Sequence, residues 1–300
     1  MDMVGKLACQ ALARLAGAAV IGTLAACGGG DDNSGGSVVR VSQAATLSPK
    51  TVSNSAVSNP TRWLPSITDT WQLQLQGTLD TAYNVAVYDI DLFDTPQPTI
   101  TALKAQGRRV VCYFSAGSSE NWRPDFAQFQ VQDMGNALSG WAGERWLDTR
   151  SSNVRSIMTA RMDLAVSKGC DGVDPDNVDG YTNNPGFPLT AATQLDYNRF
   201  LAAEAHARGL AVGLKNDVDQ LPDLATSFDF AVNEQCFQYN ECDGYSAFTT
   251  QGKPVFNVEY ATKWKDPTRR PALCAKAAAL NIRTLVLPLA LNDKYRYSCD

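Results

Sequence analysis

Between residues 169 and 181 the sequence reads GCDGVDPDNVDGY, which places Asp171, Asp174, Asp176 and Asp179 within nine positions. Carboxylates this close repel one another, and they are costly beside an apolar core unless a cation or a donor meets them. Residues two apart on a strand share a face, so Asp174 and Asp176 are predicted to point the same way, with Pro175 opposite. Neighbouring carboxylates push their proton affinities apart, which lets one site hold a proton donor and an acceptor at a single pH. A further acid, Glu234, ends another apolar run in the segment NEQ. Two carboxylates from different strands are the minimum equipment for glycoside hydrolysis. One protonates the leaving oxygen; the other attacks the sugar or activates water.

The other polar candidates also sit where apolar runs stop. They are Asp89 and Asp91 in YDID, Tyr113 in YFSAGS, Asn177 in DPDN, Lys215 and Asp217 in KND, and Glu259 in EY. Together with Asp174 they form the candidate substrate-binding set, an acidic bowl around Asp176 and Glu234. Simpler roles compete for several of them. Asp171 and Asp179 read as turn or cap residues beside glycine. Asp89 and Asp91 suit structural hydrogen bonding as well as a site, and Asp217 suits a helix cap. Lys215 requires carboxylate neighbours. Trp122 and Trp141 fit either the core of a local insertion or a surface on which sugars stack. His206 lies mid-helix and reads as structural. With that single histidine and no CxxC pair, no metal site is expected.

The elements that must position these groups alternate. Apolar, β-rich runs fall at 71–77, 84–91, 108–115, 170–176, 210–217, 228–234, 254–260 and 282–290. Helical segments lie between several of them, and three of these end in Gly107, Gly169 and Gly209, the expected C-terminal cap. Near-continuous apolar strands separated by helices predict a parallel sheet covered on both faces. Eight such runs predict an α/β fold of the (β/α)8 TIM-barrel type rather than an open sheet, and no Gly-rich dinucleotide fingerprint follows the first strand. Strand C-terminal ends of such a barrel share one rim, where active sites form. The connection GTLDTAYN is too short for a crossover helix, so the barrel is expected to be irregular at its start. An insertion follows the third strand, from Gly117 to about Arg150.

The first 26 residues carry Lys6 and Arg14 ahead of an apolar stretch and read as an export signal; their last three residues form, with Cys27, the segment LAAC, like a bacterial lipobox with Cys27 as the lipid attachment residue. Residues 27–61, rich in Gly, Ser and Asn, read as a flexible tether that reaches a folded domain over 62–300. The expected location is extracytoplasmic, lipid-anchored to a membrane (the outer one favoured by Gly28) or secreted. The chain has net charge −5, or −6 without the signal, and no run of basic residues, which excludes a nucleic-acid partner. Once Cys9 and Cys27 are set aside, six cysteines remain, an even number suited to disulfides in an oxidising compartment. Cys236 and Cys242 are close in sequence, and Cys299 is placed to pin the tail to Cys274. Cys112 and Cys170 lie in apolar runs, as buried thiols do.

WQLQLQG, YDIDLFDT, VVCYFSAGSSENWRPD, GERWLDTR, GCDGVDPDNVDGY, GLKND and VNEQC, in this order, resemble glycoside hydrolase family 114, the endo-α-1,4-polygalactosaminidases. The likeness runs from about Trp63 to Tyr260 and more weakly to the end. It implies a (β/α)8 barrel that cleaves α-1,4-linked galactosamine-rich exopolysaccharide within the chain, with no metal or cofactor. It also implies a catalytic pair, Asp176 of PDN and Glu234 of NEQ. By analogy to other barrels with an aspartate on the fourth strand, Asp176 is expected to be the nucleophile and Glu234 the acid/base, with retention. The family commonly has Glu before PDN, where this chain has Asp174. A deacetylated polymer carries ammonium groups, which an acidic cleft attracts. The partner expected is thus a galactosamine polysaccharide met by a monomer. The alternatives are a non-catalytic carbohydrate-binding barrel and a hydrolase of another α-galactoside or amino-sugar polymer.

Overall fold

The computed structural model describes residues 62–300. The export signal, Cys27 and the tether expected over 1–61 lie outside the described residues. In chain order the elements are β1 (Trp71–Gln74), β2 (Val87–Asp91), α1 (Gln97–Ala105), β3 (Arg109–Ser115), β4 (Ser118–Glu120), β5 (Met134–Ala137), β6 (Glu144–Leu147), α2 (Ser152–Lys168) and β7 (Gly172–Asp176). There follow α3 (Ala191–Ala207), β8 (Ala211–Lys215), α4 (Leu221–Leu224), β9 (Phe230–Glu234), α5 (Cys236–Tyr239), α6 (Ser246–Thr249), β10 (Val255–Glu259), α7 (Arg270–Ala279), β11 (Ile282–Val286) and β12 (Tyr297–Ser298).

Eight strands pair in parallel in the order β1-β2-β3-β7-β8-β9-β10-β11, and β12 adds antiparallel to β11. This is the expected barrel. The eight apolar runs of the sequence each became one of its strands because burial on both faces demands apolar residues at nearly every position. Alternate side chains go to different places. Val87, Val111, Phe230, Val232, Phe256 and Val258 fill the lumen. Tyr88, Ile90, Val110, Cys112, Val212 and Leu214 face Ile157, Met158, Tyr197 and Leu201 of the covering helices. Gly213 must be glycine, since a Cβ there would lie 2.4 Å from the ring of Phe230.

The sheet closes through side chains and a loop. Trp71 Nε1 donates to the Arg283 carbonyl at 3.2 Å, and Arg296, just before β12, donates to the Trp71 carbonyl at 3.0 Å. Leu75 and Gln76 both donate their N–H to Leu291 O. As the short connection implied, no helix separates β1 from β2, and after β8 and β9 the covering layer is reduced to the four-residue helices α4, α5 and α6. The insertion after β3 folds into a small antiparallel sheet of order β4-β6-β5.

The six cysteines form three disulfides. Cys236–Cys242 and Cys274–Cys299 are the pairs that proximity suggested. Cys112 and Cys170 are not free thiols but a third disulfide. Cys112 points outward from β3, and Cys170 enters β7 beside it, so parallel pairing of the two strands brings the sulfurs together. Closing its 58-residue span contributes about 4 kcal/mol by chain entropy.

Candidate active site

Three adjacent strands, β7, β8 and β9, end in Asp176, Lys215 and Glu234, all facing inward at the C-terminal rim. The Lys215 ammonium is the centre of the arrangement: 3.4 Å from Asp176 Oδ1, 3.9 Å from Glu234 Oε2 and 3.7 Å from Asp174 Oδ2. The oxygens of Asp176 and Glu234 are therefore no farther apart than those two contacts laid end to end, a span that one sugar linkage bridges. Lys215 is buried, with 3 % of its surface exposed. Burial works against its charge, but Asp176, Glu234, Asp174 and Asp89 outweigh it and hold the ammonium well above the ordinary lysine range.

Each acid of the pair has its own tyrosine and its own asparagine. Asp176 accepts from Tyr113 Oη at 2.8 Å and from the Asn177 N–H at 2.7 Å. Glu234 accepts from Tyr260 Oη at 2.5 Å and from Asn216 Nδ2 at 3.2 Å. Burial, and then the adjacent carboxylate, pushes both phenols well above the ordinary tyrosine range, which keeps them as O–H donors. The residue following each charged strand end, Asn177, Asn216 or Gln235, has positive φ (60°, 50° and 68°). That left-handed step costs about 1 kcal/mol for a residue other than glycine. It turns the chain off the rim at once, so the charged side chains stand clear of their own loops.

The family model for glycoside-hydrolase family GH114 matches residues 52–300. The chain belongs to this family. Among solved structures, Aspergillus fumigatus Ega3 in complex with galactosamine is 45% identical, with a TM-score of 0.76 over 80% of this chain and 98% of its own. The glycoside hydrolase domain of PelA from Pseudomonas aeruginosa shares the fold at 16% identity, with a TM-score of 0.60 over 76% of this chain and 98% of its own. An uncharacterized protein of Deinococcus radiodurans is 25% identical over 247 residues, 74% of this chain and 77% of the relative. The resemblance carried by the motifs is borne out, and the protein is a glycoside hydrolase of the endo-α-1,4-polygalactosaminidase type.

In this GH114 hydrolase the other sequence candidates are distributed unevenly. Tyr113, Asn177 and Lys215 stand with Asp176 and Glu234. Asp89 and Asp174 share their lumen face but lie deeper, at 2 % and 0 % exposure, and no free carboxylate of theirs reaches the mouth. Burial pushes both upward, Asp89 helped by the charge of Asp174 and Asp174 by those of Asp176 and Glu234, while Lys215 pulls both back. Asp91 is occupied in a different way. Its two oxygens take Arg123 at 3.0 and 2.6 Å, and Arg123 also binds Glu120. Asp217 lies on the outer side, where Oδ2 accepts from Asn198 of α3 at 2.8 Å. Its side chain does not cap the helical turn it precedes.

Glu259 faces away from the lumen, and strand parity explains it. Phe256, Val258 and Tyr260 point inward, so Glu259 points out, where it accepts from Phe237 N at 2.9 Å and Trp264 Nε1 at 3.0 Å. A bowl of free aspartates is therefore not what surrounds the pair; most of those acids are already partnered or sealed.

Two members of the site escaped the sequence reading: Tyr260, the residue after the glutamate of EY, and Asn216, the middle residue of KND. The inward period-two pattern of β10 (256, 258, 260) was the signal for Tyr260. Of the insertion's tryptophans, Trp146 is buried, whereas Trp122 and Trp141 are about half exposed and are not core.

Proposed function

We propose that the protein is an endo-acting hydrolase of α-1,4-linked, galactosamine-rich polysaccharide that works through a covalent intermediate with retention at the anomeric carbon. The observation that carries this reading is the convergence of Asp176 and Glu234 on one buried ammonium at the rim of the barrel. Asp176 is the nucleophile: its side chain is the less exposed of the two, and Tyr113, Asn177 and Lys215 fix it from three sides. Glu234, more open to solvent, gives its proton to the glycosidic oxygen as Asp176 bonds to the anomeric carbon and the leaving chain departs. It then takes a proton from water, which attacks the glycosyl ester and frees Asp176. Lys215 offsets the charge gathered there and keeps the two acids from repelling each other apart.

Galactosamine as the sugar is supported by the 45% identity to Ega3, which was crystallised with it. Export and lipid attachment at Cys27 belong to the same proposal, since LAAC followed by glycine and a Ser/Gly-rich tether suits a barrel held at a membrane to meet an external polymer. The test is incubation of the protein with galactosamine-rich exopolysaccharide and, separately, with its fully N-acetylated form, with mass spectrometry of released oligosaccharides and proton NMR of the anomeric signals of the first product before mutarotation. Internal cleavage of the deacetylated polymer with retained anomeric configuration in the first product is expected. Inverted products would overturn retention, and preference for another amino-sugar or α-galactoside polymer would overturn the substrate.

A further inference from the structure

The insertion reaches the site along a path that the two-carboxylate scheme does not use. Glu144 opens β6 and is buried, and its Oε2 accepts from Ser118 Oγ at 2.6 Å. Ser118 Oγ lies 2.7 Å from Ser115 Oγ. The Ser118 proton is committed to Glu144, so Ser115 is the donor between the two hydroxyls. Ser115 Oγ accepts in turn from Asn177 Nδ2 at 2.9 Å and from Ser118 N at 3.1 Å. All side-chain donors thus run one way, from Asn177 through Ser115 and Ser118 to Glu144, and bonds aligned like this polarise one another. At the mouth end the Asn177 N–H donates to Asp176 Oδ1. The backbone is packed as tightly as the side chains: a Cβ on Gly117 would lie 1.7 Å from the Asn177 carbonyl oxygen.

We propose that Glu144 is a positioning residue for Asp176: it terminates this relay, fixes the left-handed Asn177, and so holds the backbone donor that Asn177 presents to the catalytic carboxylate. The inference rests on Asp176 being one of the catalytic acids. It gives the insertion a role in catalysis, by a contact that lies behind the sugar-facing surface. The charged groups around Glu144 are Glu120, Asp176 and Arg123; burial first, then Glu120 and Asp176, push its carboxyl up to about 8, against the Ser118 hydrogen bond and Arg123. A neutral carboxyl still offers Oε2 as an acceptor, and a glutamine offers the same oxygen.

The experiment measures kcat and KM on the galactosamine polymer for wild type, Glu144→Ala, Glu144→Gln, Ser118→Ala and the double variant Glu144→Ala/Ser118→Ala, with Asp176→Asn as the reference for lost chemistry. Glu144→Ala is expected to lower kcat about tenfold with KM unchanged, the effect of one buried hydrogen bond released. Glu144→Gln is expected to recover most of that rate, Ser118→Ala to match Glu144→Ala, and the double variant to be no worse than either single one. Wild-type kcat in Glu144→Ala, no recovery in Glu144→Gln, or additive losses in the double variant overturns the relay. Should Glu144→Ala fail to fold, Ser118→Ala and Ser115→Ala interrupt the same relay, and wild-type kcat in both overturns it. Full activity in Asp176→Asn brings down the catalytic assignment itself, which differs from an inactive Asp176→Asn beside a fully active Glu144→Ala.

Discussion

Asp174 and Asp176 are the same residue type on the same face of β7, two positions apart, yet they live in different media. Asp174 has no exposed surface, and neither of its oxygens has a hydrogen-bond donor in normal geometry. It rests against Asp89 and, at 3.7 Å, the Lys215 ammonium. Asp176 sits one step nearer the rim, holds two donors and meets Lys215 at 3.4 Å. One pleat of a strand thus separates a sealed carboxyl from one that opens toward the rim. The sealed layer is expensive in itself. Its effect is to fix the ammonium from below, at the depth where the upper acids need it.

The comparison breaks first at the upper layer. Asp176→Asn and Glu234→Gln should each lower kcat by roughly 10²–10⁴-fold or more, with little change in Tm, when assayed on the polymer. Glu259→Gln, one position from Tyr260 but on the outer face, should keep its activity; a loss as large as that of Glu234→Gln would mean that parity on β10 has been misread. Lys215→Met ties the layers together and should fail in both respects. It leaves several carboxyls without their cation, so a destabilisation of roughly 3–5 kcal/mol should accompany the loss of activity in denaturant melts. Tyr260→Phe removes one donor from Glu234 and should lower kcat about tenfold with the melting curve unmoved.

The last test probes a buried carboxyl away from the lumen. Burial, then the charge of Asp179, pushes the Asp217 carboxyl up to about 8. Folding raises this group, so its contribution is present at low pH and is lost as pH rises through 8. Asp217→Asn keeps an oxygen for Asn198 and cannot ionise. The stability that wild type loses between pH 6 and pH 9 should therefore shrink by about 2 kcal/mol in the variant, and identical slopes would refute the idea.

Strand positions were legible because a doubly covered barrel strand must be apolar almost throughout, and glycines marked the ends of α1, α2 and α3. That Asp176 and Glu234 meet at one rim was legible from strand ends joined to family motifs. What failed was the step from strand end to orientation. Reading every acid at a run's end as facing the bowl put Glu259 on the wrong side and overlooked Tyr260, although the Phe256, Val258, Tyr260 period was in the sequence. Asp91 was lost to Arg123, a partner thirty-two positions later inside the insertion, and no local pattern announces such a pairing. Cys112 and Cys170 read as core because each is apolar in context; only the parallel pairing of β3 with β7 shows that their side chains meet.

The stitch between Arg296 and the Trp71 carbonyl joins residues 225 positions apart. A nascent polypeptide emerging from a ribosome or a translocation channel holds β1 long before it holds the segment that covers it. Until then the half-made cylinder has two raw margins, each able to recruit a strand from another molecule. Closure is consequently expected to come late in folding, at the stage where a chaperone shielding those margins would matter most.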